Sequence, residues 1–277
     1  MKLFKRLIRN FAFSAGLLLT LALVVCALLA PVLAPHDPLH PEGARLEQPS
    51  DAYPLGLDEL GRDVLSRIVW GARVSLRVGF SVVLLASVIG VTLGAISGYF
   101  GGMADVLIMR LCDILLAFPG ILLAIALVAV LGPSLNNVII ALAIIGWVGY
   151  ARLVRGQVLK VREMEFVTAA KALGAKSPRV IALHVLPNVI NPVIVMATLG
   201  LAGAILSEAA LSFLGLGVQP PTPSWGAMLT YGRQYLGLAN HLTIFPGAAI
   251  MAAVMGLNFL GDGLIDALDP KYRKEIR

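Results

Sequence analysis

Two long stretches without a single charged residue are what most constrain this chain. Phe11 to Leu33 contains no Asp, Glu, Lys or Arg, and neither does Val78 to Ala104. Each is long enough to cross about 30 Å of hydrocarbon as a helix. Four further apolar runs follow: from Asp105 and Arg110 through Phe118-Pro119-Gly120 to Leu131, from Val138 to Tyr150, from Val189 to Leu206 and beyond, and from Leu242 to Leu260. The chain is 58% apolar and 14% charged, where soluble domains carry about 25% charged residues. It therefore reads as an all-α, multi-pass membrane protein with six spans.

The first run follows Lys2, Lys5, Arg6 and Arg9, as a secretion signal would. It exceeds the usual signal core of about 7–15 residues, and Ala30-Pro31-Val32-Leu33-Ala34 makes a poor cleavage site, so it is read as an uncleaved span. Pro35 to Tyr53 is a Pro-rich polar loop. From Asp58 to Arg77, Leu60, Val64, Leu65, Ile68 and Val69 alternate at helical spacing with Arg62, Asp63, Arg67, Arg73 and Arg77. That pattern fits an amphipathic helix in the membrane interface or a solvated, charged lead-in to span two. Residues 1–77 thus form an N-terminal span, outer loop and interfacial helix, and 78–277 a five-helix core. Gly98, Gly101 and Gly102 end span two in a turn. Pro119 removes a backbone donor inside span three and should kink or break it. Gly132-Pro133-Ser134 with Asn136 and Asn137 marks another turn. Leu216 to Tyr231 reads as a Pro/Gly-rich loop that sets Trp225 and Tyr231 at the membrane interface. Cys26 and Cys112 lie in or beside apolar runs and read as small buried hydrophobes.

The longest polar-punctuated segment of the second half is Glu165 to Asn188, with Lys171, Lys176, Arg179 and His184. Glu165 to Leu173 is an Ala-rich helix. Gly174 stands where a helix end favours positive φ, and Ser177-Pro178 starts a second helix that Pro187 and Asn188 end. The result is a helix–Gly–helix knob outside the lipid. Six spans put both termini on the same side as this knob. Lys2, Lys5, Arg6, Arg9, Arg110, Lys160, Arg162, the cations between Arg152 and Arg179, and those of the C-terminal tail outnumber Arg45, Arg62, Arg67, Arg73, Arg77 and Arg233 on the other side. By the positive-inside rule the knob and both termini are cytoplasmic. The formal charge of +6 is distributed between spans, so it belongs to membrane topology rather than to nucleic-acid binding.

No catalytic residue, metal site or cofactor is expected. Gly174-Ala175-Lys176-Ser177 lacks the first Gly and the Gly-Lys pair of a phosphate-binding loop, so any ATP must be hydrolysed by another chain. His-Glu-x-x-His, Gly-x-Ser-x-Gly and Cys-x-x-Cys are all missing from the sequence, and its four His show no ligand spacing. Charges at depth are costly and tend to face a pathway or a packed interior, which makes Asp113, Glu208 and the break at Pro119 candidate path residues. Asp262 and Asp266 are read as capping and anchoring the last span. Gly200, Ala202, Gly203, Ala204 and the small residues from Gly247 to Ala253 allow close helix packing.

The run Thr168-Ala169-Ala170, then Gly174, then Val185-Leu186-Pro187 resembles the EAA loop of bacterial ABC importer permeases, with Thr168 in place of the Glu and His184 in place of the Ile. Three more stretches resemble the C-type permease subunit of the dipeptide/oligopeptide/nickel subfamily. They are Leu55-Gly56-Leu57-Asp58-Glu59-Leu60-Gly61-Arg62-Asp63, the run from Leu211 to Gly217 with Pro220 to Gly226, and Gly261-Asp262-Gly263 with Asp266 to Pro270. The likeness extends from about Pro31 to Lys271. It implies a MetI-like ABC permease fold in a bacterial inner membrane. It also implies a second homologous permease subunit, two cytoplasmic ABC ATPase subunits, and a periplasmic or lipoprotein solute-binding protein as partners. The coupling loop, 158–188, would present Thr168, Ala169, Ala170, Leu173, Gly174, Ala175, Ser177, Pro178, Leu186 and Pro187 to the ATPase. The solute would be a dipeptide or oligopeptide, with nickel or another small solute as the alternative. A self-sufficient channel or secondary transporter would need matching discontinuous elements in two halves, and a membrane enzyme would need a nucleophile–base pair; neither pattern is visible.

Overall fold

The computed structural model describes residues 11–268; the basic residues at both ends of the chain and the Asp269-Pro270 pair lie outside the described residues. The helices in chain order are α1 (Phe11–Leu28), α2 (Ala30–Leu33), α3 (Val64–Phe100), α4 (Gly102–Leu116), α5 (Gly120–Leu131), α6 (Leu135–Val161), α7 (Glu165–Ala172), α8 (Ser177–Val180), α9 (Leu186–Phe213), α10 (Trp225–Gly232) and α11 (His241–Leu268). By length and composition α1, α3, α6, α8 through α9, and α11 each suffice to cross a membrane. The pair α4–α5 makes a sixth crossing with an 88° bend. Pro119 sits at that bend as the residue before α5, so it breaks the third span rather than kinking it.

Small residues decide how the long helices meet. Gly90, Gly94 and Gly98 recur every four residues on one face of α3. A Cβ at Gly90 would stand 2.5 Å from the Trp147 carbonyl oxygen, at Gly94 2.5 Å from that of Ala151, and at Gly98 2.9 Å from that of Arg155. α3 and α6 are thus in backbone contact, which is how helices gain packing energy where lipid is as apolar as leucine. α1 and α11 use the same device: a Cβ at Gly16 would meet the backbone of Leu260, one at Gly256 would meet Leu19, and one at Gly263 would meet Phe13.

One end of the bundle is closed by a polar cap in which charge is buried. Asp63 starts α3 by accepting from the Ser66 N–H at 2.9 Å and the Ser66 hydroxyl at 2.6 Å. Asp58 accepts from the N–H groups of Leu60 and Arg62 and binds Arg62 Nε at 2.7 Å. Arg67 Nε lies 3.3 Å from the same carboxylate, and Arg67 Nη1 donates to the Pro38 carbonyl at 2.8 Å. Asp58, Arg62, Asp63 and Arg67 are all buried. Burial and the neighbouring Asp58 together raise the Glu59 carboxyl above its ordinary range, although Arg62 Nη2 reaches it at 3.1 Å.

Residues 58–77 do not make a helix separate from the second span. Residues 58–62 turn around Asp58, and α3 runs unbroken from Val64 to Phe100. Of the charges that looked amphipathic at helical spacing, Arg62, Asp63 and Arg67 are buried in the cap, while Arg73 and Arg77 stay exposed on α3. Trp225 is corrected for the same reason. It begins α10 behind the Ser224 cap, is 3% exposed, and donates from Nε1 to the Ile68 carbonyl at 2.9 Å. The indole found its polar partner on α3, not at the membrane surface.

Candidate functional site

The opposite end of the bundle carries the polar hairpin. α7 runs from Glu165 to Ala172, with Leu173 as its C-terminal cap residue. Gly174 follows with φ +83°; its N–H donates to the Lys171 carbonyl at 2.9 Å and that of Ala175 to the Ala170 carbonyl at 3.1 Å. These paired bonds form the Schellman closure that glycine favours, because its φ carries no Cβ penalty there. Ser177 and Pro178 open α8, as the sequence indicates.

The second arm departs from the sequence expectation. Pro187 and Asn188 do not end it. α8 passes through a π-helical turn, Ile181–Val185, directly into α9, forming one rod from Ser177 to Phe213. The Leu186 N–H reaches back five residues to the Ile181 carbonyl. That wider turn precedes Pro187, which occupies the first turn of α9, where a missing N–H costs little. The hairpin arm and the fifth span are therefore one rigid piece.

The tip is open and the base is clamped. Leu173 is 89% exposed; Thr168, Ala169, Gly174, Pro178 and Pro187 are exposed too, while Ala175, Ser177 and Leu186 are half-buried. Lys176 and Arg179 are exposed beside them. Beneath the tip Val167, Ala170, Val180 and Val185 are buried against Val154, Val158 and Val161 of α6 in one core cluster. Each fully enclosed aliphatic side chain contributes roughly 1.5–3 kcal/mol relative to exposure in water, so the hairpin is held as a body. Lys171 Nζ lies 5.0 Å over the Tyr99 ring, and Arg162 Nη1 donates to the Gly98 carbonyl at 2.8 Å, which fastens the base to the last turn of α3.

That same cluster reaches a cavity in the middle of the bundle. It contains Ala86 and Tyr150, and Met196 packs on it. All three also line a void of about 310 Å³. Gly120, Gly200, Gly203 and Ser207 complete its wall, so α3, α5, α6 and α9 all contribute. The wall is mostly apolar, with the Tyr150 and Ser207 hydroxyls as its polar points. Of the three proposed path residues, Pro119 sets the bend that brings Gly120 to this cavity. Glu208 is fully buried and accepts from the Ser212 hydroxyl at 2.6 Å, away from the cavity lining. Asp113 pairs with Arg152 on the partly exposed flank of α4 and α6. Asp262 and Asp266 lie near the end of the described part of α11.

Two features escaped the sequence reading. Asp105 binds Arg155 through both carboxylate oxygens, the Nη2 contact at 2.6 Å, and also accepts from Ser97. With Asp113–Arg152 this makes two ion pairs joining α4 to the end of α6 that carries the hairpin. Their signal was present: opposite charges at matching distances from the ends of two apolar runs. The cavity itself had no local signal, since its small residues read equally well as helix packing.

Over residues 90–274 the sequence matches the family described as binding-protein-dependent transport system inner membrane component. The chain belongs to that family. Residues 2–51 match the N-terminal transmembrane domain of oligopeptide transport permease C. A dipeptide transport system permease of Alkalihalophilus pseudofirmus is 50% identical over 98% of this chain and 89% of its own length. A glutathione transport system permease of Pectobacterium atrosepticum is 45% identical over 97% and 90%, and a di/tripeptide transport system permease of Pseudomonas aeruginosa 48% over 93% and 88%. Among solved structures, an inward-facing methionine ABC transporter chain shares the fold, with a TM-score of 0.60 at 19% identity, covering 74% of this chain and 97% of that one. This protein is thus an inner-membrane permease subunit with the all-α ABC importer permease fold.

Proposed function

We propose that this permease forms half of the path of an ATP-driven peptide importer, and that Thr168 to Pro187 is the handle by which a cytoplasmic ATPase moves it. The observation that carries the proposal is the unbroken core from hairpin to cavity. Val167 and Val180 at the hairpin and Ala86 and Tyr150 at the cavity wall belong to one packed cluster, and the second arm continues as α9, which lines the same cavity. Displacement at the tip has no soft joint in which to dissipate. Packed elements of this kind switch between discrete arrangements, which supports alternating access by rigid-body motion.

The excess of basic residues on the hairpin side supports a cytoplasmic hairpin and cytoplasmic termini. Of the basic residues on the other side, Arg62 and Arg67 are buried with Asp58, and Arg73 stacks 5.0 Å from the Trp70 ring. A second permease subunit completes the path, two ATPase subunits bind the paired hairpins, and a solute-binding protein delivers the cargo. This chain itself catalyses no covalent step. Peptide as cargo rests on relatives named for dipeptide, di/tripeptide and glutathione transport. Uptake of labelled dipeptides into cells with and without the chain tests the reading. ATP-dependent uptake lost on deletion and restored by the intact gene is the expected result; unchanged uptake of every peptide tried would refute peptide as cargo.

A further inference from the structure

At the cap end of the bundle a second hollow, about 630 Å³, is lined by Trp70, Arg73 and Arg77 of α3, Ser134 and Asn136 at the start of α6, and Thr222 and Pro223 of the outer loop. Arg73 and Arg77 give it two cationic side chains. Arg73 and Arg77 stand one turn apart on one face of α3, and both are exposed. Among the described residues no acidic group pairs with either: Arg73 stacks on Trp70, and Arg77 makes a 3.4 Å contact from Nη2 to Asn136 Oδ1. This contrasts with Arg62 and Arg67 nearby, which are matched by Asp58 and Glu59. The N-terminus of α6, a 27-residue helix capped by Ser134, opens into the same hollow and adds the positive end of its dipole.

The hollow and the central cavity flank one small apolar cluster. Val78, Val82, Ile139 and Ala204 form it, with Leu135 and Leu142 packed on it. Leu135 lines the hollow; Leu142, Val82 and Ala204 line the cavity. Two turns of α6, about 10 Å at 1.5 Å per residue, separate the two leucines. The geometry points to an outer vestibule sealed from the path by an apolar plug. We propose that Arg73 and Arg77 hold the carboxylate end of the incoming solute in this vestibule before the plug opens. The proposal rests on the peptide reading, since every free peptide presents a terminal carboxylate, and guanidiniums recognise a carboxylate by forked hydrogen bonds. A concave hollow suits a small ligand better than the flatter face of a docking protein.

The test uses the complete transporter reconstituted in proteoliposomes with its binding protein, comparing Arg73→Gln/Arg77→Gln and Arg73→Lys/Arg77→Lys with the wild type. Two quantities are read: peptides imported per ATP hydrolysed, and the concentration of loaded binding protein that gives half-maximal ATPase stimulation. The expected result is roughly a tenfold loss of import per ATP in the Gln pair, the scale of one charge-assisted contact. The half-maximal concentration should be unchanged, and the Lys pair should import substantially more than the Gln pair. A shifted half-maximal concentration would overturn the proposal in favour of docking of the binding protein. A loss that vanishes when anionic lipid is replaced by phosphatidylcholine would overturn it in favour of a net-anionic lipid headgroup. Import by the Gln pair equal to the wild type would overturn the vestibule alone and leave the peptide reading intact. No peptide import by the wild type would sink both.

Discussion

At the scale of single residues, the least replaceable position on the hairpin is Gly174. Its φ of +83° lies where a Cβ costs roughly 1–2 kcal/mol, yet an added Cβ would touch nothing within 4 Å. The cost is therefore one of backbone angle and not of space. Gly174→Val should leave the protein in the membrane but tilt the tip, so that ATP hydrolysis continues while uptake falls severalfold. Gly174→Asn, which tolerates the left-handed region, should retain most uptake. Equal uptake by the Val variant and the wild type would remove the hairpin from the mechanism. In the cap, Asp58 is the counter-charge for two buried arginines. Asp58→Ala removes the carboxylate beside Arg67 and leaves Arg62 with Glu59 alone, and a buried pair broken on one side costs about 3–5 kcal/mol. The measurement is thermal unfolding of the detergent-solubilised protein, which should show a much lower midpoint for Asp58→Ala than for the exposed control Asp51→Ala.

Between elements, glycines separate two kinds of contact that sequence alone runs together. Gly94 lies against the Ala151 carbonyl with no room for a Cβ, whereas Gly203 has nothing within 4 Å and faces the cavity. Gly94→Leu should cost on the order of 3 kcal/mol through overpacking and lower the yield of folded protein. Gly203→Leu should fold normally and slow import by filling the void. The opposite pattern, normal yield for Gly94→Leu and poor yield for Gly203→Leu, would mean that the helices are packed differently. Much of this architecture was legible beforehand: the long apolar runs, the break at Pro119, the glycine turn of the hairpin. What was not legible shares one cause. The 58–77 segment, Trp225 and Pro187 each follow a local rule, amphipathic spacing, aromatic anchoring or helix breaking. Each was overruled by a partner distant in sequence or by a change of helical turn: Asp58 and Pro38 around Arg67, Ile68 for the indole, the π-turn before Pro187. Glu208 was picked out correctly as an unusual charge, but its surroundings are packing partners such as Ser212, not the cavity.

For the whole molecule, the arrangement separates two tasks by the thickness of a membrane. Arg77 at the vestibule and Tyr99 beneath the hairpin lie on one helix, about 33 Å apart at 1.5 Å per residue, close to the hydrocarbon span. α3 thus joins the cap, the cavity and the base of the hairpin as one strut. α6 runs beside it in backbone contact, and α9 returns from the hairpin along the cavity to the cap. A stand-alone channel would have no use for an exposed leucine clamped to such a frame; an ATP-driven permease has. The most direct test is the accessibility of that leucine. With Cys26 and Cys112 replaced by Ala, Leu173→Cys is treated with a membrane-impermeant maleimide. The account predicts no labelling in intact cells, full labelling in inside-out vesicles, and protection there when the ATPase subunits are bound. Labelling from outside intact cells, or labelling from inside that bound ATPase does not diminish, would contradict it.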